Sequence, residues 1–295
     1  MTTDVTETTG YGLTANRGAA TAWLPSTRLI AAKILDLRRR NVLMLVTVLF
    51  TVALPIIFYG IRLIYHVSDP TRYAPAGAPG TLATAGTLMA EFGYIAAVAL
   101  GATAATDDLT EGMFRHLVIT GRSRVALYLA RLPAGLAILL GLAAVGYTIA
   151  ALTTAFLAGS LAPGTVVPSA GALADAGLWI ELYLAIGYTV GHGLASLMSQ
   201  RTVPIILLIV LEMIIVPALT DHTLPHFVNV ERLFAGVAMA QLKPAALAGG
   251  TRIGPTGGLG SVLPPMPGWA LVAVIGGWIV GWSVVGAWKM VRRDA

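Results

Sequence analysis

The chain has 295 residues, of which 56% are hydrophobic and 11% charged, and none is cysteine. Its mean hydropathy of +0.78 exceeds the balance of a water-soluble domain, and the missing thiols exclude disulfides, thiolate catalysis and cysteine-ligated metals. A net charge of +5 does not point to nucleic acid, because the basic residues flank apolar runs and form no aromatic-interleaved surface.

Residues 1–25 are polar and small and lack the apolar core of a signal peptide. They are expected to form a disordered cytoplasmic tail, with the remaining 26–295 forming one membrane domain. Residues 26–40, STRLIAAKILDLRRR, read as an amphipathic helix. Leu29, Ile30, Ile34 and Leu37 fall near one face, with Arg28, Lys33, Asp36, Arg38 and Arg39 mostly elsewhere. Such a helix can lie along the inner leaflet, or serve only as a positive anchor.

Six apolar runs follow, at 41–65, 82–106, 125–158, 173–198, 203–220 and 268–291. Crossing about 30 Å of hydrocarbon takes a helix of about 20 residues, so the expected fold is all-α and polytopic with six transmembrane helices. Pro55 predicts a kink in the first, and the third is long enough to tilt or to begin below the membrane surface. Arg38, Arg39 and Arg40 precede the first run, and Arg115, Arg122, Arg124 and Arg131 surround the second connection. Arg201 marks the fourth connection, and Lys289, Arg292 and Arg293 follow the last run. By the positive-inside rule these positions are cytoplasmic, and an even number of crossings leaves both termini there. The connection at 221–267 is then external. Its VERLFAGVAMAQL stretch is apolar at helical spacing but too short to span, which predicts a re-entrant or interfacial helix. The GGTRIGPTGGLGSVLPPMPG stretch after it reads as a loop. Frequent Ala and Gly within the runs predict close helix packing.

The second connection carries the most distinctive chemistry. Thr106, with Asp107, Asp108 and Glu111 after it, reads as an N-cap and acidic first turn. Phe114, Leu117 and Val118 give a short apolar face, and Gly121 ends the helix. A short cytoplasmic helix over 107–119 with exposed apolar side chains requires a partner to cover them.

The run EGMFRHLVITGRSRVALYLARLPAGLAILL resembles a segment of the ABC type-2 permease family. There an acidic residue and glycine, here Glu111 and Gly112, precede an apolar pair, here Leu117 and Val118, and then the basic pattern of Ser123, Arg124 and Arg131. Gly121-Arg122 stands where the family usually has proline before the Ser-Arg pair. The 26–40 stretch is similar to the family's elbow helix, and six spans with a longer external segment between the fifth and sixth are also theirs. The resemblance implies a permease subunit that exports a hydrophobic or amphipathic substrate. It implies pairing with a second permease copy or paralogue and with cytoplasmic ATPase subunits that bind ATP and Mg. Asp107, Asp108, Glu111, Phe114, Arg115, Leu117 and Val118 would then form the ATPase-coupling surface. The chain has no phosphate-binding loop sequence and no soluble stretch that could hold a nucleotide-binding domain.

Glu91, Glu181, His192 and Glu212 interrupt the apolar runs. A carboxylate near mid-bilayer costs about 2.5–3.5 kcal/mol on insertion scales. Glu91, Glu181 and Glu212 are therefore expected to line a substrate path or subunit interface, or to be protonated and hydrogen-bonded within the packing. His192 is expected to be packed or hydrogen-bonded. Neither a zinc-protease motif nor a nucleophile elbow occurs, and no metal site is expected. An ion-coupled secondary transporter working through its intramembrane carboxylates is the alternative reading.

Overall fold

The computed structural model describes residues 25–78, 80–110, 112–113, 123–161, 165–215, 228–248 and 265–292, and within them the secondary structure is helical throughout. Helix α1 (Thr27–Arg38) starts where the Ser26 hydroxyl accepts from the Leu29 amide at 3.3 Å. It buries Leu29 and Leu37 and leaves Arg28, Arg38 and Arg39 exposed, as an amphipathic helix should.

Helix α2 (Asn41–Ser68) is the first of five helices long and apolar enough to cross a membrane. At Leu49–Ala53 it widens into a π-helical turn just before Pro55, the residue expected to kink it. Proline cannot donate to the carbonyl four residues back, which here belongs to Thr51. That carbonyl faces Gly146 so closely that an added Cβ would collide with it. The wide turn and the missing side chain together accommodate the proline.

Helix α3 (Thr81–Thr110) is central. It packs most extensively against α5 (Ala170–Met198), and then against α4 (Arg124–Leu161). Of the five long helices, α3 and α5 have the lowest mean hydropathies, 1.5 and 1.3, and are the most buried. A water-soluble protein would order its helices the other way. Hydrocarbon solvates apolar side chains as well as a protein interior does, so the interior can be left to small residues that let backbones approach. Val42, Leu45, Ile64, Leu152, Phe156 and Val272 accordingly point outward.

Tyrosines fill the spaces that glycines open on neighbouring helices. Tyr94 of α3 covers Gly187 of α5, Tyr188 of α5 covers Gly135 of α4, and Tyr147 of α4 covers Gly177 of α5. Tyr128 of α4 covers Gly286 of α9 (Gly268–Val291) in the same way. At 1.5 Å per residue the 38 residues of α4 reach about 57 Å, so it extends well beyond the hydrocarbon thickness.

Two expectations change, and a third, the number of spans, is met only in part. The fifth apolar run, 203–220, is described only to Ile215, as α6 (Thr202–Ile215) with a π-helical end at Leu211–Ile215. Five helices, not six, therefore reach spanning length among the described residues. The VERLFAGVAMAQL stretch does not form one helix. It breaks into α7 (Val228–Glu231) and α8 (Ala235–Gln241) around an extended Phe234, and the Leu233 carbonyl at the break accepts from Trp278 Nε1 at 2.6 Å. Nor does a helix begin at Thr106. α3 runs on to Thr110, and the Thr106 hydroxyl turns back to the Ala102 carbonyl at 2.9 Å. Apart from Gly112 and Met113, the remaining part of the 107–119 stretch, like most of the 1–25 tail and of the Gly/Pro-rich loop, lies outside the described residues.

Close packing sets a stability test. Replacing Gly101 by Ala would drive a Cβ into the Tyr188 carbonyl, whereas nothing lies within 4 Å of a Cβ at Gly276. Gly101→Ala is expected to lose about 1–3 kcal/mol, and Gly276→Ala to stay within about 0.5 kcal/mol of wild type. Thermal unfolding of the detergent-solubilised chain followed by tryptophan fluorescence compares them.

Candidate functional site

Two groups of interior polar residues stand at opposite ends of α3. The first surrounds its last turn, where unpaired carbonyls carry partial negative charge. Asp107 and Asp108 add two carboxylates there, 3% and 4% exposed. Three cations, one each from α1, α4 and the link between α1 and α2, oppose them. Arg131 of α4, 1% exposed, places one terminal nitrogen 2.5 Å from an Asp108 oxygen and donates with the other to the Ala105 carbonyl at 2.9 Å. Lys33 of α1 donates to the second Asp108 oxygen at 2.6 Å, and Arg40, between α1 and α2, brings Nε to 2.9 Å from Asp107.

The two other residues of the Ser-Arg pattern also close helix ends. The Ser123 hydroxyl accepts from the Ala126 amide at 3.1 Å at the start of α4, and Arg124 donates to the Val291 carbonyl at the end of α9, also at 3.1 Å. Asp107 and Asp108 thus do not form an outward acidic turn. Both carboxylates are engaged inside the protein, because a charge buried at a helix C-terminus is tolerable only when cations meet it. Glu111, Phe114, Arg115, Leu117 and Val118 lie outside the described residues. The connection that carries them leaves Thr110, beside this charge cluster, and returns at Ser123, which caps α4 next to the Arg124 contact with α9.

The second group lies toward the other end of α3. Glu91 and Glu212 are 1% and 6% exposed. Tyr183 donates to Glu212 Oε1 at 2.9 Å, and the same oxygen rests against Gly236 of α8, which has no Cβ to block it. Tyr183 stacks on Trp179 with ring centroids 5.7 Å apart, and Trp179 Nε1 donates to the Met239 carbonyl at 2.8 Å. Lys243 reaches from beyond α8 to the Thr87 hydroxyl at 3.1 Å, one turn from Glu91, and sits 6.0 Å from the Trp179 ring. Burial pushes the Lys243 ammonium below its usual pKa, and the Glu91 carboxylate draws it back up.

Glu181 does not join them. It is half-buried on a different face of α5, beside Tyr147 and Gly177 in a groove between α4 and α5. His192 is fully buried between the rings of Tyr128 and Tyr188, at 4.7 and 6.1 Å, and among the described residues neither ring nitrogen has a hydrogen-bond partner. It is packed rather than hydrogen-bonded. No group of three or more His, Asp or Glu able to hold a metal occurs among the described residues.

Lys33, Arg40, Tyr183 and Lys243 escape a reading of the sequence as partners, although one signal was present. An arginine such as Arg131, seven residues into an apolar helix, requires a carboxylate, and the nearest preceding pair is Asp107-Asp108. The chain matches no protein-family model and no curated protein.

Removing one member of the buried cluster leaves the rest uncompensated. Asp108→Asn or Arg131→Met is each expected to destabilise by about 3–5 kcal/mol, while the Asp108→Leu, Arg131→Met double variant recovers much of that loss. Detergent-resistance midpoints of the four proteins test this. At the other end, Tyr183→Phe deprives Glu212 of its donor and is expected to lose about 1–3 kcal/mol, read by the same assay.

Proposed function

We propose that this chain is the permease subunit of an ATP-binding-cassette transporter, moving a hydrophobic or amphipathic substrate with energy supplied by a separate ATPase. In this reading it crosses the cell membrane six times with both termini in the cytoplasm, the fifth crossing being completed by residues after Ile215. α1 lies along the inner leaflet as an elbow helix. Arg28, Arg38, Arg39, Arg40, Arg124, Arg201, Lys289 and Arg292 gather toward one end of the helices, which supports a cytoplasmic assignment for that end.

The observation that carries the proposal is the charge cluster at the base of the 111–122 connection. A motor that pushes on a surface segment does work on the permease only if that segment is fixed to rigid elements. Thr110 adjoins the turn in which Asp108 ties α3 to α4 and α1, and Ser123 caps α4, beside Arg124 on the end of α9, about two turns before Arg131. Displacement of the connection by an ATPase would be delivered to α3, the most buried helix, and so to every helix packed on it. Phe114, Leu117 and Val118 supply the apolar face that such a motor would cover. ATP and Mg act on the partner, and the second half of the pathway comes from a second permease copy or paralogue.

The paired burial of Glu91 beside Lys243 and of Glu212 beneath Tyr183 favours one second reading, a secondary transporter coupled to ions through these carboxylates. The two separate cleanly. In the permease reading the chain copurifies with an ATPase, and Phe114→Asp or Leu117→Asp lowers stimulated ATP turnover by about tenfold or more without loss of membrane insertion. Because the chain lacks cysteine, a single cysteine at position 114 reports the side of the membrane directly, and it should be labelled from the cytoplasm and shielded in the assembled complex. Transport by the purified chain without any ATPase, following a pH gradient, would establish the second reading instead.

A further inference from the structure

A groove of about 600 Å³ opens between the first turns of α2 and α6, with Ala99 and Thr103 of α3 also contributing to it. Its two walls repeat one pattern. Each begins with an arginine and a polar residue, Arg40-Asn41 and Arg201-Thr202, and continues one turn later with apolar side chains, Leu43 and Val46 on one helix, Ile205 and Ile206 on the other. None of the residues that line it is acidic. Ile206 is 57% exposed and Val42 76%, so the groove is open along the flank of the helices. Arg40 is held in place by Asp107, whereas Arg201 makes no ion pair among the described residues.

We propose that this groove binds one anionic phospholipid, with its phosphate at Arg40 and Arg201 and an acyl chain along Leu43, Val46, Ile205 and Ile206. The groove has the polarity of the ligand, cationic at one end and apolar along its length, at the level where both helices start. Arginine suits phosphate because its planar fork offers parallel donors. A basic recess between membrane helices on the cytoplasmic side meets the leaflet that carries the anionic headgroups. Bound there, the lipid bridges α2 to α6, which both pack on α3, and through Arg40 it adjoins the charge cluster at Asp107. The inference depends on α2 and α6 entering a bilayer, as the reading above has it, but on no motor subunit, so the two can fail separately.

The test uses the full chain purified in neutral detergent, without any ATPase. Phosphatidylglycerol and phosphatidylcholine of identical acyl chains are titrated while thermal unfolding and lipid adducts in native mass spectrometry are followed. Phosphatidylglycerol is expected to act at concentrations about tenfold lower than phosphatidylcholine, with Arg201→Gln reducing this preference about fivefold and Arg201→Lys keeping most of it. Ile206→Trp, which fills the apolar wall without touching charge, is expected to weaken both lipids together. Equal potency of the two lipids would overturn the proposal, as would an Arg201→Gln protein with undiminished preference. So would stabilisation by millimolar inorganic phosphate equal to that by phosphatidylglycerol, since the acyl chain would then contribute nothing.

Discussion

Two carboxylates in the last turn of the central helix, Asp107 and Asp108, meet Arg131, Lys33 and Arg40 in an interior where an unpaired charge could not persist. The attraction within such a cluster barely exceeds the cost of taking its members out of water. Its value lies in the penalty for separating them, which holds α1, α3 and α4 in one arrangement while apolar faces alone would let them slide. Arg124 extends the tie to the end of α9, and Tyr188 joins α5 to it by donating to the Arg131 carbonyl at 2.7 Å. At this end of the molecule each of these helices is fixed by a charged or hydroxyl group, and the connection from Thr110 to Ser123 hangs from that frame.

Away from the frame, packing is governed by size. The tyrosine-over-glycine pairs on α3, α4, α5 and α9 each place a large ring where a neighbouring backbone has no side chain. This brings rings close to one another as well, so Tyr94, Tyr183 and Trp179 line up beside Glu212. Such rings bring a hydroxyl or an indole N–H into an apolar interior, and those donors satisfy the Glu212 carboxylate and the Met239 carbonyl of α8. Helix α8, Ala235–Gln241, is thereby held against α5 and α9.

The proposed mechanical and lipid sites share a helix end. Arg40 faces Asp107 on one side and lines the α2–α6 groove on the other. A bound phosphate would add negative charge next to a cluster already balanced internally, and it would do so without entering the buried part. In this arrangement lipid composition and motor contact would act on the same turn of α3, from opposite sides of the same arginine.

Five of the six expected spans were legible from the sequence, because hydropathy over about twenty residues needs no knowledge of neighbours. So was the amphipathic α1, whose predicted face is the one buried, and so was the close packing implied by Ala and Gly. The role of Asp107 and Asp108 was not. An acidic pair after threonine has the local look of a helix start, and only the continuation of α3 to Thr110 makes it a helix end. The three carboxylates within the runs looked alike as well, yet Glu91 on α3 and Glu212 on α6 are interior, whereas Glu181 lies on a face of α5 that borders a groove with α4. Chain composition thus decided which segments are long and apolar enough to leave water. Tertiary structure alone decided which charges meet, because Lys33 and Asp108 lie 75 residues apart and their encounter depends on helix contacts that glycines and tyrosines scattered over four helices allow.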